Sequence, residues 1–231
     1  MCNNRMYMFS SIRTGKQGDE LLEVQFSDGT SREFHIWDYP FLYSYPDLYR
    51  QLIVDFLKCG VYDAIEKILI SFIPKRLPLR IADIACGSGL MGKKIIDSPS
   101  LAVQYLAGVE ITAEALKALN RDTPGIYNRC FLFPEDDLSE LKKKNINCLI
   151  ICGAANHLAL KDYQLYTDLL KEPAYIAFNL VDDPFHKNRQ EILQWMDKQE
   201  QFTILDRQKY THRKLLNGCS VPHEVFLYRV L

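Results

Sequence analysis

From Leu79 onward the chain alternates short apolar runs with stretches whose apolar residues recur every three or four positions. In order these are LRIADIAC, a helix to about Asp97, AVQYLAGVE, a helix from Ala113, CFLF, a helix near Leu138, NCLIICG, a helix from Asp162, AYIAFNLV and a helix from Asn188. Near-continuous apolar strands separated by helices predict a parallel sheet covered on both faces, wound with right-handed crossovers. The end breaks the rhythm. QFTILDRQKY and EVFLYRVL are strand-like runs joined through LLNGCSVP with no helix between them, so the α/β sheet should have seven mostly parallel strands and finish in an antiparallel hairpin.

Before Leu79 the texture is aromatic and irregular. Residues 23–26 and 33–37 alternate apolar and polar positions around SDGTS, predicting a hairpin. Helical spacing follows over 49–58 and 62–72, with Gly60 between them and Pro74 and Pro78 closing the second. The division drawn is therefore an N-terminal hairpin and helical extension, 1–78, and a sheet domain, 79–231. The polar first twenty residues are expected to be mobile.

Composition narrows the class without naming a partner. Hydrophobic residues make up 48% and charged residues 25%, ordinary for a globular chain, and 28 basic residues against 29 acidic give a net charge of −1. No polybasic footprint for a membrane surface or for non-specific nucleic-acid binding follows from that balance. The start lacks the apolar run of a secretory signal, and seven cysteines, an odd number, suit a reducing compartment, so a cytoplasmic location is expected. Cys148 and Cys152 are read as strand packing, and no metal is expected.

The sharpest local feature is IADIACGSGLMG, a strand running into a GxGxxG turn and then a helix. Glycines there allow a tight turn and close approach of a ligand to the main chain. Glu110 closes the next strand, about twenty residues on, where an acid can accept ribose hydroxyls of NAD or of an adenosine cofactor. Asp83, four residues before Gly87, argues against a pyrophosphate at this turn and suits a cationic ligand.

DIACGSG followed by an acid closing the next strand resembles the cofactor loop of class I S-adenosylmethionine (SAM)-dependent methyltransferases, and the likeness runs from Leu79 to Leu231. RDTPGIYNRCFLFPEDDLSEL, DYPFLYSYPDLYRQL and AFNLVDDPF are similar to segments of small stand-alone methyltransferase-domain proteins. The resemblance implies a Rossmann-like fold and SAM as cofactor. It places Asp83, Ala85, Gly87 and Gly89 at the methionine end, Glu110 and Ile111 at the ribose, Asp136, Asp137 and Leu138 near the adenine, and Cys152 at the cofactor wall. Asn147 and Lys171-Glu172-Pro173-Ala174 depart from the family pattern.

Methyl transfer chiefly requires holding a nucleophile in line with the sulfonium and keeping water out. His157, in the loop after the fourth strand, is the candidate base. Tyr39, Tyr43, Asn156, Asn179 and Tyr210 are candidate substrate contacts, and the aromatic stretch 34–49 is expected to enclose the pocket. With no DPPY or NPPY after strand four and no Pro-Cys, the acceptor is expected to be the oxygen or nitrogen of a small molecule, with no nucleic acid as partner. Two other readings stay open: a SAM-binding scaffold without activity, and an NAD-dependent oxidoreductase.

Overall fold

A computed structural model describes residues 6–231. Its main sheet has seven strands: β4 (Pro78–Ile84), β5 (Ala102–Glu110), β6 (Arg129–Leu132), β7 (Ile146–Ile151), β8 (Leu170–Val181), β9 (Phe202–Lys214) and β10 (Ser220–Val230). They lie in the order β6-β5-β4-β7-β8-β10-β9. The first five are parallel, and β10 inserts antiparallel between β8 and β9. That order, centred on β4, carries the carboxyl ends of β4, β5 and β7 to one rim of the sheet, where open α/β folds place their ligands.

Helices cover both faces because each carries one apolar stripe. In α3 (Val61–Phe72) the buried positions are Val61, Ile65, Ile68 and Leu69, a helical period, and they pack on Ile81, Ile150 and Leu227 with Met91 and Ile95 of α4 (Leu90–Ile96). On the other face Tyr163 of α5 (Leu160–Thr167) and Ile192 and Met196 of α6 (Lys187–Met196) close over Phe178 and Phe226, whose rings stack at 5.3 Å. α3, drawn within the 1–78 extension, packs into the core of the sheet. Asn147, a departure from the family pattern, ties two strands: its Oδ1 accepts from Arg80 N–H (2.8 Å) and its Nδ2 donates to the Pro78 carbonyl (3.0 Å).

The predicted hairpin is present as β2 (Leu21–Gln25) and β3 (Ser31–His35), but a further strand, β1 (Met8–Arg13), pairs antiparallel with β2. Within the first twenty residues, expected to be mobile, Met8–Arg13 is a strand. Of the first twenty residues, 1–5 lie outside the described residues. The strand left no signal because five of its six side chains are exposed and only Phe9 is half-buried, so no apolar alternation marks it. Leu22, Val24, Phe34 and Ile36 form a small core with Leu42 of α1 (Tyr39–Ser44), Leu48 of α2 (Leu48–Arg50) and Leu52 of the π-helical turn Gln51–Phe56.

Candidate active site

The turn after β4 carries three residues at positive φ: Ala85 (56°), Gly87 (55°) and Gly89 (86°). At Gly89 a Cβ would stand 2.4 Å from Thr123 Oγ1, so only glycine fits. Ala85 holds the left-handed conformation with a Cβ, a strained state that persists where the surroundings impose it. Asp83 lies under this turn with 1% exposure. Its Oδ2 accepts from Tyr127 Oη at 2.6 Å, its Oδ1 has no partner, and burial lifts its pKa to about 7. The Tyr127 hydrogen bond holds that rise back and the Glu110 charge adds to it. Tyr127 Oη also accepts from Gly92 N–H at 3.1 Å, so the PGIY turn fastens the acid to the start of α4.

Glu110, at the end of β5, is buried, and its carboxylate collects three backbone donors: Gly87 N–H (2.9 Å) on Oε2, and Ile111 (2.8 Å) and Thr112 (3.0 Å) N–H on Oε1. A carboxylate offers about four lone-pair sites, so one remains for a ligand hydroxyl. Beside it Ile111 is 71% exposed, an apolar face at the mouth of the site.

Glu110, Ile111, Ala85 and Cys152 line a cavity of about 510 Å3, continuous in its lining with a small recess of about 50 Å3 that reaches Asp83 and Gly87 past Tyr43, Tyr49 and Tyr62. The extension supplies the opposite wall with Trp37, Tyr39, Tyr43 and Tyr49; Tyr39 and Tyr43 stack at 6.0 Å. Four of the chain's five histidines border the cavity: His157, His186, His212 and His223. Arg213 lines it too, its charge met by Glu20 of the extension through a bidentate pair at 2.9 and 2.5 Å. His157 ends the turn Ala155–His157, packs edge-on to Trp37 at 5.6 Å and keeps an exposed edge. Burial, helped by His186, lowers its pKa, leaving the imidazole neutral near pH 7.

Neither a family model nor a curated protein matches this sequence. Solved structures do. A proposed RNA methyltransferase of Pyrococcus horikoshii superposes with a TM-score of 0.53 at 13% identity, over 74% of this chain and 85% of that one. A tRNA methyltransferase of Bacillus subtilis gives 0.53 at 16% identity, over 75% and 66%. An O-methyltransferase of Bacillus cereus solved with S-adenosylhomocysteine gives 0.52 at 8% identity, over 74% and 80%. The fold is that of the class I SAM-dependent methyltransferases. Two of these methyltransferases are named for RNA acceptors, which overturns the exclusion of nucleic acid drawn from the sequence. Net charge averages over the whole surface, and a missing motif rules out only the chemistry that motif performs.

Within this methyltransferase fold the expected residues divide. Asp83, Ala85, Gly87, Glu110, Ile111, Cys152, Tyr39, Tyr43, Asn156 and His157 border the cavity or its recess, while Gly89 shapes the turn behind it. The acids after β6 lie elsewhere: Asp136 Oδ2 accepts from Leu132 N–H (2.8 Å), exposed Asp137 accepts from the Ser139 N–H and hydroxyl, and Leu138 is core. Asn179 is fully buried and reaches the cavity only through others: its Oδ1 accepts from Gly153 N–H (2.7 Å) and its Nδ2 meets His223 Nδ1 (3.0 Å). Tyr210 is outside the lining, its hydroxyl engaged with His212 Nδ1 at 3.2 Å. Asn156 borders the cavity with its Oδ1 already taken by Val181 N–H (3.2 Å). In the aromatic stretch, Phe34, Phe41 and Tyr45 turn into the extension's own packing. Sequence reading missed His186 and His223 as wall residues.

Proposed function

We propose that this protein is a SAM-dependent methyltransferase that methylates an oxygen or nitrogen of a small-molecule acceptor, the site residues acting as follows. The observation that carries the reading is the buried, unpartnered Oδ1 of Asp83 beside a glycine turn, with Glu110 holding one free acceptor site nearby. Asp83 fits the α-ammonium of SAM, Glu110 a ribose hydroxyl, and Ile111 the apolar face of the adenine. When bound, SAM supplies the electrophilic methyl group. The tyrosines and Trp37 exclude water from the acceptor, and neutral His157 takes the proton the nucleophile gives up. An enclosed cavity with an aromatic wall supports a small acceptor. No helix among the described residues is long and apolar enough to cross a membrane.

The test is Glu110→Gln, which removes the charge and keeps an oxygen for the Ile111 and Thr112 donors. Calorimetric titration with S-adenosylhomocysteine should show affinity falling by about tenfold, the difference between a charge-assisted and a neutral hydrogen bond. NAD should bind neither protein. Equal affinities in the two folded proteins would remove Glu110 from the site, and NAD binding in place of S-adenosylhomocysteine would overturn the reading.

A further inference from the structure

The half of the cavity away from the glycine turn is chemically unusual in two ways. Among the described residues its wall holds no unmet charge: the one carboxylate they bring to the cavity lining is Glu110, engaged by three N–H groups, and the one lysine or arginine is Arg213, paired with Glu20. It also holds an orphan donor whose identity follows from its neighbours. Gly153 N–H donates to Asn179 Oδ1 at 2.7 Å, which fixes the amide with its Nδ2 towards His223 Nδ1, 3.0 Å away. An amide nitrogen only donates, so His223 Nδ1 accepts and the ring proton of the neutral imidazole stands on Nε2. His223 is 3% exposed, and its Nε2 has no partner. Packing and the Arg213 and Arg189 charges hold its pKa down at about 4, so this tautomer persists at neutral pH. The ring of His212 lies flat on that of His223, with centroids 4.0 Å apart and planes 8° apart.

A donor shut away from water with nothing to accept its proton is a rare thing in a folded protein, and since His223 borders the cavity, an acceptor atom on a ligand that displaces the atoms covering Nε2 would satisfy it. Stacked imidazoles and the Trp37, Tyr39 and Tyr43 rings offer flat apolar faces with no counter-charge for an anion or a cation. Resting on the methyltransferase reading above, we propose that the methyl acceptor is an uncharged, ring-bearing compound, phenolic or aza-aromatic, seated among these rings and held by a hydrogen bond from His223 Nε2–H. The same chemistry is offered by a free small molecule and by an uncharged base of RNA.

The experiment uses the full chain with 15N-labelled histidine, loaded with S-adenosylhomocysteine, and follows the imidazole N–H correlations by NMR. Phenol and quinoline are titrated against their charged counterparts benzoate and benzylammonium, with a tRNA transcript as a separate arm. The expected result is an Nε2–H tautomer for His223, a shift of that signal with the uncharged rings, and at least tenfold weaker binding of the charged ones. His223→Phe, which keeps a ring and removes the donor, should weaken the ring probes by about tenfold while S-adenosylhomocysteine affinity, read by calorimetry, is unchanged. A signal moved by free rings assigns the acceptor to a small molecule; one moved by the transcript alone assigns the ring to a base. The proposal is overturned by an Nδ1–H tautomer, by tighter binding of benzoate or benzylammonium, by ring probes that bind and leave the His223 signal in place, or by no ligand moving it. Because the wild-type spectrum is itself decisive, a variant that fails to fold does not shield the proposal. Absence of S-adenosylhomocysteine binding would instead strike the cofactor reading.

Discussion

Asp83→Asn separates what the buried acid costs the fold from what it gives the ligand. Burial raises the folded-state pKa from 3.8 to about 7, so the group is destabilising wherever it is ionised. The penalty is absent below the unfolded pKa, grows as pH rises through the window between roughly 4 and 7, and is then constant. At 1.36 kcal/mol per pKa unit it is on the order of 2 kcal/mol at pH 5 and on the order of 4 kcal/mol at pH 8. Asparagine keeps an oxygen for Tyr127 Oη and has nothing to ionise. Urea unfolding should therefore find the variant more stable than the wild type, with a gap that widens by on the order of 2 kcal/mol between pH 5 and pH 8. Calorimetry should find SAM affinity reduced in the same variant, because a cation has lost its counter-charge. In the wild type at about pH 6, SAM should release a proton on binding, seen as a dependence of the heat on buffer ionisation enthalpy. A stability gap that is the same at both pH values would show that Asp83 is not held protonated by burial, and the account of its vacant oxygen would fall with it.

His157→Ala should lower turnover by roughly 10² with SAM affinity kept, and wild-type turnover should fall on acidification through a pKa below 6.5; full activity in the variant would make this histidine a wall residue only. Ala85→Gly removes a Cβ from a residue at φ 56° and should raise stability by about 0.5–1 kcal/mol, the left-handed strain less the entropy of the added glycine; a lower melting temperature would refute the strain. Glu20→Ala leaves the Arg213 guanidinium buried and unmatched and should cost about 3 kcal/mol in urea unfolding, whereas a loss under 1 kcal/mol would mean that water in the cavity solvates the cation.

Much of the sheet could be read along the chain because it is written locally: each strand is a short apolar run and each helix its own stripe. The glycine turn with Asp83 and Glu110 was legible for the same reason, being a contiguous motif plus one acid at a set spacing. What could not be read depends on distant partners. β1 presents one half-buried side chain, so only its pairing with β2 defines it. Asp137 looked like a ligand acid and is spent on Ser139, two residues away. Asn179 looked like a pocket residue because it ends a strand, yet both ends of its amide are consumed inside the protein. His157, His186, His212 and His223 come from four separate elements, and nothing in their spacing announces that they share a cavity.

The cavity wall runs from Gln17 to His223, and Glu20 meets Arg213 across 193 positions of sequence. A growing polypeptide can lay down β4 to β8 and their helices before β9 and β10 emerge, since their parallel pairings are all among themselves. The cavity cannot be complete until β10 has slipped between β8 and β9 and brought His223 with it. At about 5–20 residues per second of synthesis, the glycine turn is available for several seconds before the cavity closes, so on the proposed reading a nascent chain can take up SAM before it can select an acceptor.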